Sequence, residues 1–158
     1  MSVNVTKKFE IIAIVATLAV TTTVTNAISP VLAQQTFTAK LSGNNEVPRV
    51  STAAMGVAQF NLTSDGKQLS YEVDATGIWG KTTGYIHQGK AGQNGPVIAT
   101  LPMTELSFFG EFPGWQKGTG TLAGTSSLLN LIKNGEAYVN VNTESHPNGA
   151  IRGQISSP

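Results

Sequence analysis

The sequence has no cysteine, only two histidines in 158 residues, and charges on 12% of its positions. Without thiols there is no disulfide staple, no thiolate metal site and no cysteine nucleophile, so any fold must stand on packing and hydrogen bonds. Charge is also never concentrated: beyond residue 33, eight Lys/Arg and eight Asp/Glu are scattered singly along the chain. No basic block is available to neutralise phosphates and no acidic tail is present, which points away from nucleic acid as a partner. A Gly-x-Ser-x-Gly nucleophile elbow is missing, and the many Ser and Thr stand where strands and turns ordinarily use them. Glu72 and Asp74 are paired carboxylates only in the sense that they share one strand face, and outward exposure accounts for both.

The N-terminal residues differ in kind from the rest of the chain. Lys7 and Lys8 precede Ile11–Val20, an uncharged apolar run of signal-peptide length, and Val31-Leu32-Ala33 sets small or aliphatic residues where a signal peptidase reads. Residues 1–33 are therefore predicted to be a signal peptide cut before Gln34, or an N-terminal membrane anchor through residues 11–33 if left uncut. Either outcome places residues 34–158, the expected folded domain, at the cell surface or in the extracellular space.

Period-2 alternation dominates from Thr36 onward, with turn residues between the runs. Strands are predicted near 36–41, 56–62, 68–74, 84–87, 96–101, 118–122, 136–142 and 150–155. Asp65-Gly66 between the second and third predicts a β-hairpin, because this dipeptide supplies a positive φ at low cost. One segment reads as helix: Thr125-Ser126-Ser127 offers capping hydroxyls, Leu128, Leu129, Leu131 and Ile132 group as an apolar face, and Lys133-Asn134-Gly135 ends it. The expected fold is all-β, a Greek-key sandwich or barrel with one short helix.

Several pieces in order carry a family resemblance: Leu41-Ser42-Gly43-Asn44-Asn45-Glu46-Val47-Pro48, Ile86-His87-Gln88-Gly89, Asn134-Gly135-Glu136-Ala137-Tyr138-Val139, and Pro147-Asn148-Gly149 with Ile151-Arg152-Gly153-Gln154-Ile155 after it. Together they resemble the CHRD domain, the chordin-type repeat, from about Phe37 to Ile155. The resemblance implies an immunoglobulin-like β-sandwich with some likeness in topology to the copper/zinc superoxide dismutases. It also implies an exported module, which in animals belongs to an extracellular antagonist of growth-factor signalling and in microbes stands as a lone domain. The chain departs from the family pattern at three places: Tyr85-Ile86-His87 stands for His-Ile-His, Val141-Asn142-Thr143 for Val-His-Thr, and Ala150 for an acidic residue.

These observations set the candidate residues. A metal site would draw on His87, His146 and Glu144, but needs them to converge, and Tyr85 is a poor ligand at the position two residues before His87. The simpler reading of His87 is an imidazole bonding the backbone of the adjoining turn. Gly89–Pro96 looks like a phosphate cradle but leads into a strand instead of a helix, so it reads as a connection. Glu46 and Arg152 both belong to the family pattern and are predicted to form a structural ion pair. Trp79, Phe108, Phe109, Phe112 and Trp115 fall among glycines and a proline and form the candidate ligand surface, for an extracellular protein, a glycan or a surface layer. The expected function is a noncatalytic binding or structural module without cofactor; the alternative is a metal-binding or dismutase-like enzyme using His87.

Overall fold

The computed structural model of the protein describes residues 34–106 and 114–158. Among them the chain forms nine strands: β1 Gln35–Ser42, β2 Met55–Leu62, β3 Gln68–Thr76, β4 Thr82–Gln88, β5 Val97–Pro102, β6 Thr104–Glu105, β7 Gln116–Ala123, β8 Ala137–Thr143 and β9 Ile151–Gln154. A single α-helix, α1 at Ser126–Lys133, joins β7 to β8, and one 3-10 turn, Gly43–Asn45, follows β1. The predicted all-β architecture with one short helix is what forms. The additional strand is β6, whose two residues lie in a stretch without alternation.

All nine strands belong to one antiparallel sheet in the order β5-β4-β8-β9-β1-β2-β3-β7-β6. The two extremes of that order are consecutive in the chain, separated only by Met103. The segment Val97–Glu105 thus pairs with β4 through Thr83↔Pro102 and with β7 through Thr104↔Lys117, and curls the sheet nearly into a barrel. Where β5 meets β7 the backbones are tight, since a Cβ on Gly118 would lie 2.7 Å from the Pro102 carbonyl oxygen. Glycine is required there because the closure leaves no room for a side chain.

The alternating residues fill the interior as the period-2 pattern dictates. Phe37, Ala39 and Leu41 of β1, Phe60 of β2, Leu69 and Val73 of β3, Ile86 of β4, Leu101 of β5, Val139 and Val141 of β8 and Ile151 of β9 form one buried core. Helix α1 begins where Thr125 Oγ1 accepts from Leu128 N at 3.3 Å and ends at Gly135, whose φ of 69° terminates it. Its Ile132 is buried, and Leu128, Leu129 and Leu131 pack partly against the same core. The β2–β3 connection has the predicted chemistry: Gly66 has φ 71°, and Asp65 Oδ1 accepts from Thr63 Oγ1 and Lys67 N. No helix among the described residues is long and apolar enough to cross a membrane. The leader predicted at residues 1–33 lies outside the described residues.

Candidate functional site

Strands β8 and β9 are buried on both faces. Their inward residues join the core, and their outward residues, Tyr138, Asn140 and Arg152, are covered by three loops: Gly43–Val50, Gly89–Pro96 and the β8–β9 turn. On this outer face the registers bring His87 beside Tyr138, Tyr85 beside Asn140, and Asn140 beside Arg152. A layer of polar side chains is thereby enclosed between the sheet and its loops.

The centre of that layer is a stack. The His87 and Tyr138 rings lie 4.9 Å apart and nearly parallel, at 11°. The Arg152 guanidinium carbon sits 3.4 Å from the centroid of the Tyr138 ring, a cation–π contact in a water-poor setting. Because β8 runs between β4 and β9, the tyrosine ring is held from both neighbouring strands. Tyr85 meets His87 edge-on with centroids 6.1 Å apart.

Each member of the stack also grips the Gly89–Pro96 loop. His87 Nδ1 donates to the Gly95 carbonyl at 2.8 Å, which places the ring hydrogen on Nδ1. The Tyr138 hydroxyl accepts from Gly95 N at 3.2 Å. Arg152 donates through Nη1 to Asn94 Oδ1 at 3.0 Å, and through Nη2 to the Lys90 carbonyl at 3.1 Å and the Gln93 carbonyl at 2.6 Å. Gln154 Nε2 adds a bond to the Gly89 carbonyl at 2.9 Å. Loops with so many buried carbonyls need donors, and these side chains supply them.

Glu46 closes the layer from the Gly43–Val50 loop and is 5% exposed. Burial pushes its carboxyl up to about 7, against the opposing pull of the Arg152 guanidinium. Burial likewise holds Arg152 below the usual arginine range. Glu46 and Arg152, predicted to form a structural ion pair, act on each other through charge, while ion pairs within 4 Å among the described residues join Lys90 with Glu136 and Lys117 with Glu72 and Asp74, and Nη1 and Nη2 of Arg152 bond loop oxygens. Glu46 and Arg152 interact as neighbours across a cleft of about 330 Å³, which Asn44, Asn45, Arg49 and Gln154 also line.

A family model, that of the CHRD domain, matches residues 37–155. The chain belongs to the CHRD family. A comparison with curated proteins returns no match. Within this CHRD domain, Tyr85 and Asn142 line one small cleft of about 220 Å³ with Lys81, Thr83 and Glu144. Asn142 Nδ2 is turned to the Pro147 carbonyl at 2.6 Å, so the residue ties down the β8–β9 turn.

The candidate metal residues are not brought together. His87 is inside the stack, whereas His146 sits in the exposed turn with its Nδ1 3.2 Å from Ser145 Oγ, and Glu144 lies in that same turn. No cluster of three His, Asp or Glu suited to a metal occurs among the described residues. Of the aromatic surface, Phe108, Phe109 and Phe112 lie outside the described residues. Trp79 is 64% exposed, on the crossing from β3 to β4. It lies over Gly114, where a Cβ would come within 2.9 Å of the indole, and Trp115 is next in the chain, half-buried.

Sequence reasoning named none of Tyr138, Asn140, Asn94 and Gln154 as site residues, although Tyr138 and Gln154 stand in the pieces that carry the family resemblance. Asn140 carried a signal of its own: Asn140 and Asn142 are β-disfavoured residues repeated on one face of a strand, which asks for a local hydrogen-bonding reason.

Proposed function

We propose that this CHRD domain is an exported, noncatalytic module that binds a partner at the cell surface or in the extracellular space. Family membership fits a noncatalytic module. The buried polar side chains support the same reading, because they are engaged in fastening loops and present no nucleophile beside a base and an orienting acid. The observation that carries the binding role is Trp79, a large aromatic left 64% exposed on a tight connection. An exposed tryptophan of this kind suits a glycan or an extracellular protein, and charges scattered singly along the chain give no reason to invoke nucleic acid.

Two measurements test the proposal. When the full chain is produced in a secreting host, exported protein beginning at Gln34, or retained at the envelope by its N-terminus, is the expected result; protein confined to the cytoplasm overturns export. Purified envelope glycan titrated against the protein should quench tryptophan fluorescence, and Trp79→Ala should weaken that binding at least tenfold. Undiminished binding by the variant overturns the role of Trp79.

A further inference from the structure

Two oxygen atoms in the covered layer face a problem that the other buried groups have solved. Glu46 Oε1 and Asn140 Oδ1 are both buried, and neither has a hydrogen-bond partner among the described residues. They lie around one point: a Cβ placed on Gly149 would lie 2.7 Å from Glu46 Oε1 and 2.6 Å from both Oδ1 and Nδ2 of Asn140. The orientation of the amide is fixed, because Asn140 Nδ2 donates to the Asn148 carbonyl at 3.2 Å. Turning it round would set two carbonyl oxygens against each other there. Two buried acceptors side by side repel unless a hydrogen lies between them, and Asn140 Nδ2, which gives one hydrogen to Asn148, makes no bond to Glu46 Oε1.

We propose that the Glu46 carboxyl is a proton-operated latch: as the neutral acid it donates to Asn140 Oδ1 and holds the Gly43–Val50 loop against the β8–β9 turn, and loss of the proton loosens that loop. The latch acts on a loop otherwise tied by groups that do not titrate. Asn45 Nδ2 donates to the Arg152 carbonyl at 3.0 Å, Asn94 Nδ2 donates to the Val47 carbonyl at 2.7 Å, and Glu46 N and Val50 N both donate to the Gly43 carbonyl. The charged and titratable groups around Glu46 are few. Arg152 faces it from β9 and Arg49 from its own loop. On β8, Tyr138 has its hydroxyl engaged with Gly95 N; Lys90 of the Gly89–Pro96 loop is paired with Glu136; His146 of the β8–β9 turn is exposed beside Ser145.

Burial raises the Glu46 carboxyl from 4.5 to about 7. A folded state that keeps a proton which the unfolded chain releases is favoured below the unfolded value and loses that advantage as pH rises through the folded one. Between those two values the folding equilibrium should fall by up to about tenfold per pH unit, and flatten above.

The test is a titration of the full chain with ¹³C-labelled glutamate carboxyls, combined with urea unfolding from pH 4 to 8. One glutamate should titrate close to neutrality, and its signal should vanish in Glu46→Gln. In that variant an amide N–H can serve Asn140 Oδ1 at every pH, so the pH dependence should flatten and the variant should be more stable than the parent at pH 8. Asn140→Ala, which removes the acceptor of the neutral acid, should lower the midpoint. Exchange protection of the Glu46 and Val50 amides, corrected for intrinsic rates, should drop as the carboxyl ionises. A Glu46 that is ionised throughout, as a carboxylate bound to water would be, overturns the proposal. So does loop protection indifferent to its titration. Should Glu46→Gln fail to fold, the titration of the parent still decides.

Discussion

On β2 and β3 burial alternates residue by residue, whereas β8 and β9 are buried on both sides, although all four belong to one sheet and share one core. The difference lies entirely on the outer surface. Over β3 and β7, water does the work of solvation: Lys117 reaches Glu72 at 2.5 Å and Asp74 at 3.4 Å, and the hydrogen bond to Glu72 raises the lysine above its ordinary range while that to Lys117 lowers the glutamate. Over β8 and β9, protein does it: Arg152, 2% exposed, is solvated by two loop carbonyls, an asparagine oxygen and a tyrosine face. A cation on the outward face of a strand can therefore be an incidental surface charge or the anchor of a loop, and the neighbouring loops decide which.

Three substitutions sharpen that contrast. Arg152→Ala should cost most, about 3–5 kcal/mol by chemical denaturation, because it strands buried oxygens and leaves Glu46 without its nearest opposing charge. The same change should move the Glu46 titration further upward. Tyr138→Phe keeps the ring under the guanidinium and removes only the acceptor for Gly95 N, so a loss of about 1 kcal/mol is expected. Lys117→Ala should leave the urea midpoint unchanged within error, and added salt should not alter that, since exposed ion pairs are screened and weak. A Lys117 variant as damaging as the Arg152 one would break the comparison.

The fold is legible in the sequence where local chemistry dictates it. Asp65-Gly66 marks its hairpin because a positive φ is needed, and Thr125 with Gly135 brackets the helix because exposed amides and carbonyls need termination. The alternation of Phe37, Ala39 and Leu41 gives the inward face of β1 for the same local reason. The site is half legible. Arg152 and His87 stand out as residues requiring partners, and the turn-bonding reading of His87 matches its bond to the Gly95 carbonyl. The partner of Arg152 cannot be read, because it consists mostly of main-chain carbonyls about sixty positions earlier, and carbonyls carry no residue signature. Charge alone draws attention to Glu46 and Arg152; Asn140, whose buried Oδ1 has no hydrogen-bond partner, is a neutral residue whose surroundings depend on which way its amide is turned.

The single residue Met103 between β5 and β6 has its own consequence. Because the first and last members of the strand order are one uninterrupted length of polypeptide, the hoop is fastened by a covalent clasp. Severing that one link would let the two terminal strands, each paired on one side only, drift apart, and a hoop would become an open ribbon.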